Sequence, residues 1–141
     1  MDWILRELTP PDLHNGFLEA LASLSAVDLL PWQAEEVFRQ RLGQSVRTYV
    51  AVHRQQVLGT ASLLVERKYI HRGGLVGHIE DVAVHRDHQL RGIGTALVGH
   101  ATEEARQLGC YKVLLDCFER LIPFYERLGY RPHNFGLRID F

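Results

Sequence analysis

Apolar and polar positions change their period several times along the chain, and each change marks an element. Residues 3–8 (WILREL) alternate closely enough for a first strand. Thr9-Pro10-Pro11-Asp12 then supplies a helix cap followed by prolines tolerated in a first turn, which predicts a helix running to about Leu24. Residues 31–42 (PWQAEEVFRQRL) predict a second short helix with Trp32, Val37, Phe38 and Leu42 on its buried side. Residues 46–53 and 57–71 are rich in β-branched and aromatic side chains and flank the polar Arg54-Gln55-Gln56, which predicts a hairpin.

Gly73-Gly74 and Gly77 punctuate a turn before a further strand over 78–85. A loop rich in Arg and Gly covers 86–94. Residues 95–108 then place Ala96, Leu97, His100, Ala101, Glu104 and Leu108 at helical intervals until Gly109 stops the helix. Residues 112–117 predict a short strand, 119–128 a helix with Pro123 early in it, and 135–141 a last strand. Strand, two helices, three strands, helix, strand, helix, strand is the order of a mixed α/β (α+β) fold, and 141 residues without repeat or linker fit one domain, 1–141.

Composition narrows the function classes. Hydrophobic residues at 46% and charged residues at 23% are those of an ordinary globular chain. A formal net charge of −1 gives no field to gather nucleic acid or an acidic membrane. No apolar run approaches the roughly 20 residues that span a bilayer, and no export signal stands at the N-terminus. Cys110 and Cys117 make neither a disulfide framework nor a zinc pattern, and the histidines show no metal spacing. The expectation is a cytoplasmic protein with no metal, nucleic-acid or membrane partner.

The most informative segment is Gln89-Leu90-Arg91-Gly92-Ile93-Gly94, directly after an apolar strand and directly before an amphipathic helix. Small residues there let the chain turn tightly and present backbone N–H groups at a helix start, where the dipole also favours an anion. Glycines alone would read as a capping turn. A dinucleotide fold would want a glycine where Val98 stands, and an NTPase loop would want Gly-Lys-Ser/Thr. Glu80-Asp81 in mid-strand also stands out: adjacent strand residues face opposite ways, so one carboxylate points inward unless a bulge re-aims it. Cys110 and Cys117 beside apolar residues read as small packing groups rather than acyl-accepting nucleophiles.

With Gln89-x-x-Gly92-x-Gly94 after Val82-Ala83-Val84, and Phe124-Tyr125-Glu126-Arg127-Leu128-Gly129-Tyr130 further on, the sequence resembles the GNAT acetyltransferase superfamily. Within it, the runs at 66–71, 77–84 and 109–112, with Leu115-Asp116-Cys117, resemble the eukaryotic-type glucosamine-6-phosphate N-acetyltransferases from Leu58 to Tyr130; the first third is only loosely similar.

The resemblance implies acetyl-CoA as co-substrate, amino-sugar metabolism and a homodimer. It implies pantetheine pairing along Val82, Ala83 and Val84, and pyrophosphate held at Gln89, Leu90, Arg91, Gly92, Ile93, Gly94 and Thr95. It implies sugar-phosphate contacts from Ser25, Lys68, His71, Glu80, Asp81, Tyr111, Lys112, Asp116 and Arg138, some of them from a second subunit. Tyr125 takes the place of the tyrosine that assists the departing thiolate, and Glu80 and Asp116 are the carboxylates able to take the amine's proton. Leu121 stands where many members carry Asn, and Arg138 lies two residues before the position of the family's C-terminal arginine. Direct transfer in a ternary complex is the implied mechanism. The rivals are a GNAT enzyme for another amine (an aminoglycoside, a polyamine or a protein N-terminus) and a non-catalytic acyl-CoA-binding module.

Overall fold

The computed structural model describes all residues, Met1–Phe141. Five strands form one sheet in the order β1-β2-β3-β4-β5: β1 Ile4–Glu7, β2 Val46–His53, β3 Gln56–Arg67, β4 Leu75–Val84 and β5 Cys110–Leu114. All neighbours are antiparallel except β4 and β5, which run parallel. The β2–β3 hairpin turns through Arg54 and Gln55, both left-handed, the two-residue turn whose twist suits a hairpin.

One face of the sheet carries α4 (Ile93–Gln107). Its Ile93, Leu97, Val98, Ala101 and Ala105 recur at helical spacing and are buried against Tyr49, Leu58, Leu63 and Ile79. Each large aliphatic side chain so buried stabilises the fold by roughly 1.5–3 kcal/mol. The other face carries α1 (Phe17–Leu21), which seats Phe17 and Ala20 on Val50, Val52 and Val57, and α2 (Pro31–Leu42). A single turn, α3 (Ile70–Gly73), links β3 to β4, and α5 (Ile122–Glu126) follows β5.

The single helix expected from Pro10 to about Leu24 is broken. A 3-10 turn over Pro10–His14 is capped by Asp12, which accepts from the Thr9 N–H at 2.7 Å. Gly16 at φ 99 then redirects the chain into α1, a conformation that L side chains rarely adopt. Helix α2 forms as expected, yet Trp32, Val37 and Leu42 are exposed and only Ala34 is buried; the helix leans on the 3-10 turn and stands off the sheet. Residues 135–141 form no strand: the segment after Tyr130 lacks regular structure and leaves Phe135, Leu137, Ile139 and Phe141 exposed.

Candidate functional site

The site begins where β4 and β5 part. Their parallel pairing runs from Leu75↔Cys110 to His78↔Leu114 and stops, because β5 ends at Leu114 while β4 continues to Val84. Beyond His78, the β4 edge turned away from β3 has no strand beside it, so its backbone donors and acceptors are free for an extended ligand.

The β3–β4 ladder is interrupted at the same level. Ser62 pairs with Glu80 and Thr60 with Ala83, so Asp81 and Val82 together oppose Ala61, and Asp81 is left-handed at φ 51. This bulge answers the question posed by adjacent carboxylates: both Glu80 and Asp81 reach solvent. Burial first, then the nearby charges of Asp81 and Asp116, push the Glu80 carboxyl above its ordinary range, while His78 pulls the other way. Glu80, Asp81 and Asp116 thus form one acidic cluster beside the parted strands.

The chain leaves β4 through a 3-10 turn, Arg86–His88, and reaches α4 by way of Leu90 at φ 62 and Gly92 at φ 80. Gly92 caps α4 without a side-chain hydrogen bond, and the first intrahelical donor is the Ala96 N–H, bonded to the Gly92 carbonyl at 3.0 Å. The N–H groups of Ile93, Gly94 and Thr95 therefore lack intrahelical acceptors at the positive end of a 15-residue helix. Nothing lies within 4 Å of a Cβ built on Gly92, whereas one on Gly94 would touch Phe124 and Val84 at ordinary contact distance. The loop opens between β4 and α5.

Tyr125 and Tyr130 play different parts. The Thr102 hydroxyl donates to the Val98 carbonyl at 2.7 Å, so the Tyr130 hydroxyl donates to Thr102 at 2.6 Å and is spent on packing α4. Tyr125 is 8% exposed, with its ring edge-on to Phe124 and Tyr130, and its hydroxyl has no hydrogen-bond partner in the chain. Burial first, then Cys117 and Tyr130, push its phenol above the ordinary value, so it stays protonated and able to donate. Leu121 packs its side chain on the main core instead of presenting an amide.

A second group lies at the other end of β4. Glu66 receives both Lys68 Nζ and His78 Nε2 at 3.0 Å. His71, left-handed at φ 49, stacks on Tyr111 with centroids 4.1 Å apart, and Lys112 lies over the same ring. Lys68 therefore already has a carboxylate partner. Ser25 is exposed in the connection between α1 and α2. Arg138 is not brought to the site by its own chain: it is exposed and paired with Asp140 at 2.8 Å. His78, absent from the residues that the sequence marks for the site, links Glu66 to the neighbourhood of Glu80. Its position two residues before Glu80, on the same strand face, is the signal that could have found it.

A cavity of about 640 Å³ lies between α2 and the sheet, with Phe17, Phe38 and Val46 among its apolar walls and Thr48, Thr60 and Ser62 on its floor. Asp81 lines it too, so it opens toward the acidic cluster.

An unpaired strand edge, a bulge beside it and a glycine-capped helix start facing the same gap form an arrangement for holding an extended ligand with an anionic end. The sequence model of the Acetyltransferase (GNAT) family matches residues 12–130. The chain belongs to this family. Among curated GNAT relatives, a glucosamine 6-phosphate N-acetyltransferase of Trypanosoma brucei brucei is 37% identical over 145 residues, covering 99% of this chain and 97% of its own. A crystal structure of a Trypanosoma brucei acetyltransferase superposes with a TM-score of 0.91 at 38% identity, covering 99% of this chain and all of the other. The crystal structure of the glucosamine-6-phosphate N-acetyltransferase of Arabidopsis thaliana gives 0.94 at 26% identity, covering 100% and 99%. The GNAT fold, with its mixed five-stranded sheet and flanking helices, is as the sequence implied.

Proposed function

We propose that this GNAT protein transfers the acetyl group of acetyl-CoA to the amine of D-glucosamine 6-phosphate, giving N-acetyl-D-glucosamine 6-phosphate. The observation that carries the reading is whole-length similarity to relatives of that name, coinciding with an acidic cluster beside the parted β4 and β5. The gap fits acetyl-CoA: the free edge of β4 at Val82–Val84 faces the pantetheine arm, and the loop from Gln89 through Thr95 takes the pyrophosphate. Acetyl-CoA supplies an activated acyl carbon and a thiolate leaving group.

Glu80 and Asp116 take the proton that the amine must lose. The upward shift of Glu80 makes it a stronger base than an ordinary carboxylate once it is ionised. Tyr125 donates its unpartnered hydroxyl to the departing thiolate. Asp81 and Ser25 contact sugar hydroxyls, while Lys68, His71, Tyr111, Lys112 and Arg138 form the remaining acceptor surface. Alignment of two bound reactants contributes much of the acceleration, so a strong dedicated base is unnecessary.

The four exposed apolar side chains of the C-terminal segment alternate along the chain, and the segment passes Asp116 at Gly136. A homodimer that covers them brings Arg138 toward a partner's site; light scattering that reports a fully active monomer at micromolar concentration contradicts the dimer. No helix is long and apolar enough to cross a membrane.

A panel of amines with acetyl-CoA, read by free thiol release, tests the reading. Glucosamine 6-phosphate should give the highest kcat/KM. A higher value for an aminoglycoside, polyamine or peptide N-terminus assigns another acceptor, and acetyl-CoA binding without turnover of any amine assigns a regulatory module.

A further inference from the structure

Cys117 stands three residues beyond the end of β5, where that strand has parted from β4. Its apolar neighbours make a packing role the expectation, yet it is free and exposed. Cys110 is also free but only partly exposed, and burial pushes its thiol above the ordinary range. Exchange chemistry needs an accessible sulfur, so Cys117 is open to it and Cys110 is not.

Tyr125 supplies a second, independent observation. It is 8% exposed and its hydroxyl bonds to no group of the chain, so a buried donor is left for a ligand to satisfy. Leu115, two residues before Cys117, and Leu121, four after it, pack against the core cluster that contains Tyr125. Two residues of chain reach at most about 7 Å, so Cys117 is held close to that cluster. After burial, charge on Cys117 is the next cause that raises the Tyr125 phenol, which places the sulfur near the hydroxyl. Across the gap, a Cβ on Gly94 would meet Phe124 at 3.6 Å and Val84 at 3.7 Å. The free end of β4, the start of α4 and α5 therefore bound one cleft, and Cys117 lies on its β5 side.

We propose that Cys117 is a thiol–disulfide exchange site for coenzyme A, and that the resulting adduct locks the cofactor into the acetyl-CoA cleft and stops the enzyme. This rests on the acetyl-CoA reading above, in which Tyr125 meets the cofactor sulfur, and adds a redox control of the same site. The co-reactant is the disulfide of coenzyme A. The Cys117 thiolate attacks one sulfur of its S–S bond; that bond breaks, the Cys117–CoA disulfide forms, and the second coenzyme A leaves as a thiolate that takes up the proton Cys117 lost. One disulfide is consumed for each one formed, so no further oxidant enters. Binding of the nucleotide end in the cleft raises the effective concentration of the reacting sulfur at Cys117. A dithiol reverses the exchange, which makes the adduct a reversible cap.

The test incubates the parent, Cys117→Ser and Cys110→Ser with coenzyme A disulfide or with oxidised glutathione, and reads intact masses without reductant. The parent and Cys110→Ser should gain the mass of one coenzyme A less two hydrogens, and Cys117→Ser should gain nothing; peptide mapping of the parent locates the adduct without recourse to a variant. Modification of Cys117 should run at least tenfold faster with coenzyme A disulfide than with oxidised glutathione, and excess desulfo-coenzyme A should slow the former by a similar factor. Acetyl transfer should fall in step with the adduct and return with dithiothreitol. Equal rates with the two disulfides, or no protection by desulfo-coenzyme A, make Cys117 an ordinary surface thiol and overturn the proposal, as does an adduct confined to Cys110. Calorimetry with desulfo-coenzyme A separates this proposal from the reading beneath it. Binding with Cys117 left unmodified by the disulfide overturns the exchange site alone, whereas no binding contradicts the acetyl-CoA reading and the exchange site with it.

Discussion

Replacing Tyr125 with Phe removes one hydroxyl and leaves the ring in its place against Phe124 and Tyr130. That hydroxyl bonds to nothing in the chain, so its loss breaks no intramolecular hydrogen bond and the melting midpoint should not fall. The size of the catalytic effect follows from the direction of its pKa. A phenol ordinarily ionises near 10, and burial raises Tyr125 further, so full proton transfer to the thiolate is disfavoured. Tyr125 therefore acts chiefly by donating a hydrogen bond to developing charge, which stabilises it by about 1.5–3 kcal/mol, or about 10- to 100-fold in rate. Single-turnover mixing with preformed acetyl-CoA complex isolates the chemical step, and titration measures acetyl-CoA affinity separately. A variant that keeps more than about half the parent single-turnover rate makes Tyr125 a packing residue. A collapse of acetyl-CoA affinity with the chemical step intact makes it a cofactor contact.

Three further perturbations probe other parts of the account. Gly94→Glu places a side chain and a negative charge between Val84 and Phe124 at the helix start, and should raise the acetyl-CoA dissociation constant at least tenfold by calorimetry. Glu80→Gln should slow acetyl transfer yet raise the melting midpoint at neutral pH. The folded carboxyl is raised, so its stabilising contribution is complete below the unfolded pKa and lost as pH rises through the folded one; the gap in midpoint between variant and parent should close in acid. Asp12→Ala removes the carboxylate that Arg6 clamps at 2.6 and 2.8 Å, and should cost about 2–3 kcal/mol in urea denaturation at neutral pH, below the full cost of a buried pair because Arg6 is one-third exposed. Burial alone would raise that carboxyl, but the bonds from Arg6 and Thr9 outweigh it and hold it low. Its contribution is therefore present above the ordinary aspartate value and lost as pH falls through the lowered one, where the variant and parent should converge.

What could be read from the chain follows from the range of the interactions involved. The loop from Gln89 to Gly94 was legible because turn, glycine and helix start are contiguous, and Glu80-Asp81 because two adjacent carboxylates in a strand require a bulge. The exposure of Trp32, Val37 and Leu42 was not, since an apolar stripe at helical spacing does not say whether the opposing surface closes on it. The segment 135–141 alternates like a strand, but alternation names no pairing partner, and none exists within the chain. The parting of β4 from β5 likewise comes from where β5 ends, at Leu114, three residues before the Cys117 limit that its sequence alone suggests, leaving Leu115 and Asp116 unpaired.

Initial rates with acetyl-CoA and glucosamine 6-phosphate varied together, with the product identified by mass spectrometry, test the central claim most directly. Direct transfer in a ternary complex beside β4 predicts intersecting reciprocal plots and one N-acetylated sugar phosphate formed for each thiol released. Parallel plots with an isolable acetyl-enzyme, or thiol release without that product, would contradict it.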